Sequence, residues 1–196
     1  MKKKRSYRMR KRALSQEETR QRIIEATMHL HEEVGPRATT ISAIAERAGV
    51  QRLTVYRHFP DEAAVFRACT SHWLELNPPP DPRSWESVTD PWKRLRAALS
   101  ALFDYYAATR SMWAASYRDV DAVEALREPM AEFAGFVTGI ADDLARSLAP
   151  GKRKAAAVTV TLQHALTFPT WMDLEARSLR NPQKIELVAS WLSGTI

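Results

Sequence analysis

A chain of 196 residues is long enough to bury a sizeable core and to form one or two domains. Its single cysteine, Cys69, excludes an internal disulfide framework and a four-cysteine zinc site, and no apolar run approaches the length of a membrane span. The net charge of +6 is unevenly placed: residues 1–60 carry 14 Lys+Arg against 6 Asp+Glu, whereas residues 61–196 carry 15 against 17, a distribution that suits a nucleic-acid partner.

The opening MKKKRSYRMRKR is basic like the start of a signal peptide, but an acidic helix follows it instead of an apolar one, so residues 1–14 read as a flexible basic arm. Ser15-Gln16-Glu17-Glu18 has the capping-box spacing for a first helix. Ile23, Thr27, Leu30 and Val34 keep one face of that helix until Gly35-Pro36 stops it. Thr39 or Thr40 caps a second helix, in which Ile41, Ile44, Ala45 and Ala48 fall at i, i+3, i+4 and i+7. Gly49 ends it where a left-handed residue is needed, and a third helix starts near Gln51 and ends at Phe59-Pro60. On this third helix Val55 and Phe59 share one face; Leu53 and Arg57 share the opposite one, flanked by Arg52 and Tyr56. A short helix that turns guanidinium groups, a phenol and a leucine outward, after a tight turn, has the pattern of a helix-turn-helix whose second helix enters a DNA major groove.

Asp61 opens a helix reaching about Leu76, and Asn77-Pro78-Pro79-Pro80-Asp81-Pro82 is a stiff break. Trp92, Leu95, Leu99, Leu102 and Tyr106 mark a long helix, and Leu126, Met130, Phe133, Val137, Ile140, Leu144 and Leu148 a second, closed by Pro150-Gly151. Residues 152–168 are helical and apolar on more than one face, with Pro169 interrupting; Asn181-Pro182 opens a last helix striped by Ile185, Val188, Ala189 and Leu192. With no strand pattern and no repeat, the expected fold class is all-α.

Residues 39–66, TTISAIAERAGVQRLTVYRHFPDEAAVF, resemble the TetR family of one-component transcriptional regulators. Ile44-Ala45, Gly49-Val50 and Thr54-x-Tyr56-x-His58-Phe59, followed by a helix rich in Ala and Phe, carry the resemblance. Two positions depart from it: Leu53 replaces a small residue, and Glu62 stands where the family often has a lysine that meets a phosphate. The resemblance implies a three-helix DNA-binding domain over 15–60 and a helical effector-binding and dimerisation domain over 61–196. It further implies a cytoplasmic homodimer on a palindromic operator, joined through the helices at 152–168 and 182–192, most often as a repressor released by a small-molecule effector. No cofactor and no metal are expected.

Within the head, Gln51, Arg52 and Arg57 suit base reading, because arginine grips guanine O6 and N7 together and glutamine pairs with adenine; Leu53 can touch a thymine methyl. Thr40 and Tyr56 suit phosphate oxygens, and Thr54 and His58 follow from the resemblance. Arg8, Arg10, Lys11 and Arg12 either enter the minor groove or follow the backbone. For the effector, Phe103, Tyr106, Trp113, Tyr117, Phe133, Phe136, His164 and Phe168, with Trp171, lie on helices expected to converge, which favours a flat hydrophobic or cationic ligand. Asp104, Asp119 and Asp173 are the acidic candidates for a cation. The rival classes are a non-specific DNA-coating protein and an enzyme. Against the second, six scattered glycines form no phosphate loop, and neither G-x-S-x-G nor H-E-x-x-H occurs.

Overall fold

Helix α1 runs without interruption from Lys2 to Glu33 and is followed by α2 (Ile41–Arg47), α3 (Arg52–His58) and α4 (Glu62–Leu76). The computed structural model describes residues 2–148 and 151–194, with side chains at all of these except 2–8, 10, 152 and 153. The remaining helices are α5 (Arg83–Glu86), α6 (Pro91–Ala108), α7 (Arg110–Asp119), α8 (Arg127–Leu148), α9 (Lys152–Ala165), α10 (Phe168–Glu175) and α11 (Asn181–Ser193), with single 3-10 turns at Pro36–Ala38 and Glu124–Leu126. Among the described residues no strand occurs, so the chain is all-α.

The first helix corrects the expectation at Ser15. That residue lies inside α1, and its carbonyl accepts the Thr19 hydroxyl at 2.8 Å instead of its side chain capping a helix start. Lys, Arg, Met and Ala upstream are all good helix formers, and no Gly or Pro intervenes, so nothing stops the helix from beginning earlier. The backbone from Lys2 to Leu14 is therefore helical rather than an irregular arm. Of the arm's candidate residues, the side chains of Arg8 and Arg10 lie outside the described residues, as does Pro150.

The chain divides into two units, Met1–Pro78 with Ala114–Arg127, and Pro79–Trp113 with Glu128–Ile196. The sequence places a boundary at residue 60, whereas α4 lies within the first of these units. Helix α4 belongs to the head because Val65 and Phe66 join the core formed by Ile23, Ile24 and Leu30 of α1, Ile41 and Ile44 of α2, and Val55 and Phe59 around α3. A seven-residue helix such as α3 is too short to persist alone, so burial of Val55 and Phe59 holds it in place. The Arg20 guanidinium covers the Phe59 ring at 5.1 Å. Caps fix the neighbouring starts. Thr40 accepts the Ala43 N–H at 3.2 Å, and Asp61 accepts the Ala64 N–H at 2.7 Å. Of the two threonine candidates, Thr40 is thus the cap; Thr39 is buried and donates its hydroxyl to the Gly35 carbonyl.

In the second unit Leu95, Leu99, Leu102, Phe103 and Tyr106 of α6 form the centre, with Val137, Ile140 and Leu144 of α8, Val158 and Leu162 of α9, and Val188 and Leu192 of α11. Helix α11 lies along α6, tied by a bidentate Arg96–Glu186 pair at 2.7 and 2.9 Å and by Asn181 donating to Asp104 at 2.8 Å. The helix expected over 152–168 ends sooner. It stops at Ala165, and Thr167 caps α10, with Pro169 in that helix's first turn, where its missing N–H costs nothing. On the buried face of α11, Lys184 is 1% exposed; its ammonium contacts Glu175, donates to Asn181 Oδ1 at 3.0 Å and sits 4.7 Å from the Trp171 ring.

Candidate nucleic-acid interface

Gly49, at φ +66°, turns the chain between α2 and α3, and the Val50 N–H returns to the Ala45 carbonyl at 2.9 Å. The following seven residues bury Val55 and leave the opposite face open. Gln51, Arg52, Leu53, Tyr56 and Arg57 are all exposed, Leu53 at 73% and Tyr56 at 42%; Thr54 and His58 are half-buried at the flanks. Thr40, also exposed, stands at the start of α2 in the same unit.

Charge pairing separates these arginines from their neighbours. Arg47, at the end of α2, is gripped by Glu33 with N–O distances of 2.8 and 2.6 Å, and this raises the arginine's pKa and lowers the glutamate's. Arg52 and Arg57 have no carboxylate partner among the described residues, so their guanidinium forks are open to an external acceptor. His58 behaves differently. Burial, then the positive charges of Arg57 and Arg20, push its imidazole below the usual value, partly opposed by the charge of Glu17.

A polar clasp that the sequence did not announce closes the other side of the head. Gly35, two residues past the end of α1, has φ +93° and ψ 158°; beside it, Arg118 donates to the Val34 carbonyl at 3.1 Å. Asp119, 4% exposed, accepts from Arg118 and from the Arg37 backbone N–H at 3.1 Å, and these partners hold its carboxyl below the usual range. Asp119 is therefore committed within the head and not available to a cation. Asp104 is likewise engaged by Asn181 and Ser100, whereas Asp173 is exposed. A separation of 82 residues between Arg37 and Asp119 leaves no local pattern from which the clasp could have been read.

The aromatic residues proposed for an effector divide between the units. Tyr117 lies in the first; Phe103, Tyr106, Trp113, Phe133, Phe136, His164 and Phe168 lie in the second. There Trp113 and Phe133 approach to 4.1 Å between ring centroids, Tyr106 and Phe168 to 5.4 Å, and Phe133 and Phe136 to 5.9 Å. The Tyr106 hydroxyl donates to the Leu166 carbonyl at 2.8 Å. Phe103 is fully buried, Phe136 is half-buried, and His164 is exposed, outside this cluster of rings.

Residues 23–69 match the family described as bacterial regulatory proteins, tetR family. Over 85 residues the chain is 44% identical to the HTH-type transcriptional regulator SrpR of Pseudomonas putida, covering 40% of each protein. It is 42% identical over 85 residues to TtgW, an uncharacterized HTH-type transcriptional regulator also of Pseudomonas putida, covering 40% of this chain and 63% of that one. The chain thus matches less than two thirds of the length of either relative. Among solved structures it superposes on a TetR-like transcriptional regulator from Rhodococcus sp. RHA1 with a TM-score of 0.63 at 18% identity, covering 88% of this chain and 92% of that one. It also superposes on NalD, the secondary repressor of the MexAB-OprM multidrug efflux pump in Pseudomonas aeruginosa, with a TM-score of 0.57 at 21% identity and coverage of 92% and 96%. At these identities the structural likeness concerns the fold.

Proposed function

We propose, from the premise that this chain belongs to the tetR family of bacterial regulatory proteins, that it is a sequence-selective DNA-binding transcriptional regulator. The observation that carries this reading is the outer face of α3: two unpaired guanidinium groups, a glutamine, a phenol and an exposed leucine on a helix whose other face is locked into the core. Arg52 and Arg57 are assigned to guanine edges, Gln51 to adenine and Leu53 to a thymine methyl. Thr40, Tyr56 and Thr54 are assigned to phosphate oxygens, and His58 to a supporting contact.

The working form is a homodimer, since two heads spaced about 34–36 Å apart read successive major-groove faces of a palindrome. Helices α9 and α11 suit the interface. Val160 is 65% exposed beside exposed Ala156 and Ala157 on α9, and Trp191 is exposed on α11. A small apolar effector held among the body's rings, favouring one spacing of the heads, would release the operator; a coupling of about 1–3 kcal/mol suffices. Repression follows by occupation of a promoter. The name of NalD, a repressor of an efflux pump, agrees with that direction of control.

Two measurements test this. Arg52→Ala should cost about 1–3 kcal/mol on a selected site and relax preference at one base pair; equal weakening on every sequence would reassign Arg52 to the backbone. Val160→Glu should convert a dimer to a monomer in analytical ultracentrifugation, and an unchanged dimer would move the interface elsewhere.

A further inference from the structure

Helix α1 continues past the head's core, and its stretch from Lys11 to Thr19 runs beside α3. Between the two helices lies a cleft of about 460 Å3. Helix α1 lines it with residues at 11, 12, 15, 16 and 19, one helical face, and α3 with residues at 54, 57 and 58, again one face. Lys11, Arg12 and Arg57 supply three cations, none of which is paired with a carboxylate among the described residues. Two acids lie on the same stretch of α1, Glu17 and Glu18, both exposed; Glu17 faces Arg20 at 3.9 Å, and its charge also reaches His58 at the edge of the cleft. The hydroxyls differ in availability. Thr19 already gives its proton to the Ser15 carbonyl, whereas the Thr54 hydroxyl and the Gln16 amide have no partner among the described residues and can donate outward. A concave site that gathers three cations and two free donors, with no carboxylate among its lining residues, focuses positive potential on whatever occupies it.

We propose that this cleft seats a backbone phosphodiester of the strand bordering the groove that α3 enters, which makes the amino-terminal part of α1 a second DNA-contacting element. Lys11 and Arg12 supply the charge, Gln16 and Thr54 the neutral hydrogen bonds, and Arg57 closes the cleft from the α3 side. The proposal rests on α3 facing duplex DNA and adds to it a defined phosphate site. Such a contact positions the head without reading sequence. A free phosphate ion has the same chemistry, and the site is assigned to the strand.

The test uses the full chain and a labelled random-sequence duplex, with affinity measured between about 50 and 200 mM salt. Replacing Lys11 and Arg12 together by alanine should weaken binding and make the slope of log affinity against log salt shallower by about 1, the value for one lost phosphate contact. A control removing the same charge from the other unit, Lys93→Ala with Arg110→Ala, should keep the wild-type slope. Both pairs are exposed, and alanine favours helix, so folding is preserved and is checked by circular dichroism. Equal slopes for the two double variants would overturn the phosphate site while leaving DNA binding by α3 intact; a wild-type chain that binds no duplex would overturn both. Inorganic phosphate added at constant ionic strength separates the two sources. Unmoved Lys11 and Thr54 amide resonances support the strand, whereas a saturable shift lost in the Lys11/Arg12 variant makes this a free-anion site and overturns the assignment.

Discussion

Gly35→Ala is the substitution whose cost the structure defines most closely. The residue sits at φ +93° and ψ 158°, a conformation that side chains with a Cβ rarely adopt and that costs about 1–3 kcal/mol to hold. A Cβ built there falls 1.8 Å from Arg118 Nη2 and 2.5 Å from Asp119 Oδ2. The guanidinium is the end of a long exposed chain and can swing away. Asp119 is buried and cannot move without giving up the Arg37 N–H, another 0.5–1.5 kcal/mol or so. The sum is about 1.5–4.5 kcal/mol. Gly49→Ala is the comparison: its φ of +66° is equally left-handed, but the nearest atom to its Cβ, Arg22 Nη1, lies 3.9 Å away, so only the backbone cost of about 1–2 kcal/mol applies. Urea denaturation of both variants should rank Gly35→Ala well below Gly49→Ala, and melting should fall by about 2–4 °C per kcal/mol for a chain of this size. A Gly35→Ala variant as stable as the wild type would refute the clasp as a structural restraint.

Other expectations follow from buried groups. Burial pushes the His31 imidazole down to about 4, partly opposed by the charge of Asp119. Between about pH 4 and 6.5 the unfolded chain therefore holds one more proton at this site than the folded one, and stability falls with decreasing pH by up to about 1.4 kcal/mol per pH unit. His31→Leu should flatten that part of the stability–pH curve; an unaltered slope assigns it to other groups. Glu175→Ala should destabilise by about 3 kcal/mol, because it strips the ion partner from buried Lys184, whereas Lys184→Met with Glu175→Gln should cost less; the reverse order in denaturant unfolding would contradict the pairing. Cys69 is buried beside His31, and its thiol is pushed up to about 12, so alkylation of the native chain should be slow and track unfolding. Rapid labelling without loss of structure would show that α4 opens locally.

The helix-turn-helix was legible because everything that defines it lies within twenty residues: an apolar stripe, a glycine at the turn and an inverted polar face on α3. What misled was either a local signal with a stronger competitor or a contact set by distant residues. Ser15-x-x-Glu18 has capping-box spacing, but the lysines and arginines before it extend the helix equally well. Phe66 looked like the start of a separate body, since nothing local reveals that its ring meets His31 edge-on at 4.4 Å in the head. Gly35 was legible as a stop, whereas the buried carboxylate that leaves no room for a Cβ there, Asp119, comes 84 positions later. The aromatic residues were legible as a set but not sorted: Tyr117 falls in the first unit and the others in the second. Periodicity places His164 on a helix, but only packing decides that it faces solvent while Phe168 joins the rings.

Selection of bound duplexes from a random pool by the intact chain, at about 0.15 M salt, tests the central assignment of α3 most directly. The account predicts enrichment of a two-fold symmetric motif, with one base pair in each half losing its preference when Arg52 becomes alanine. Recovery of an unenriched pool, or of a motif indifferent to Arg52, Arg57 and Gln51, would contradict it.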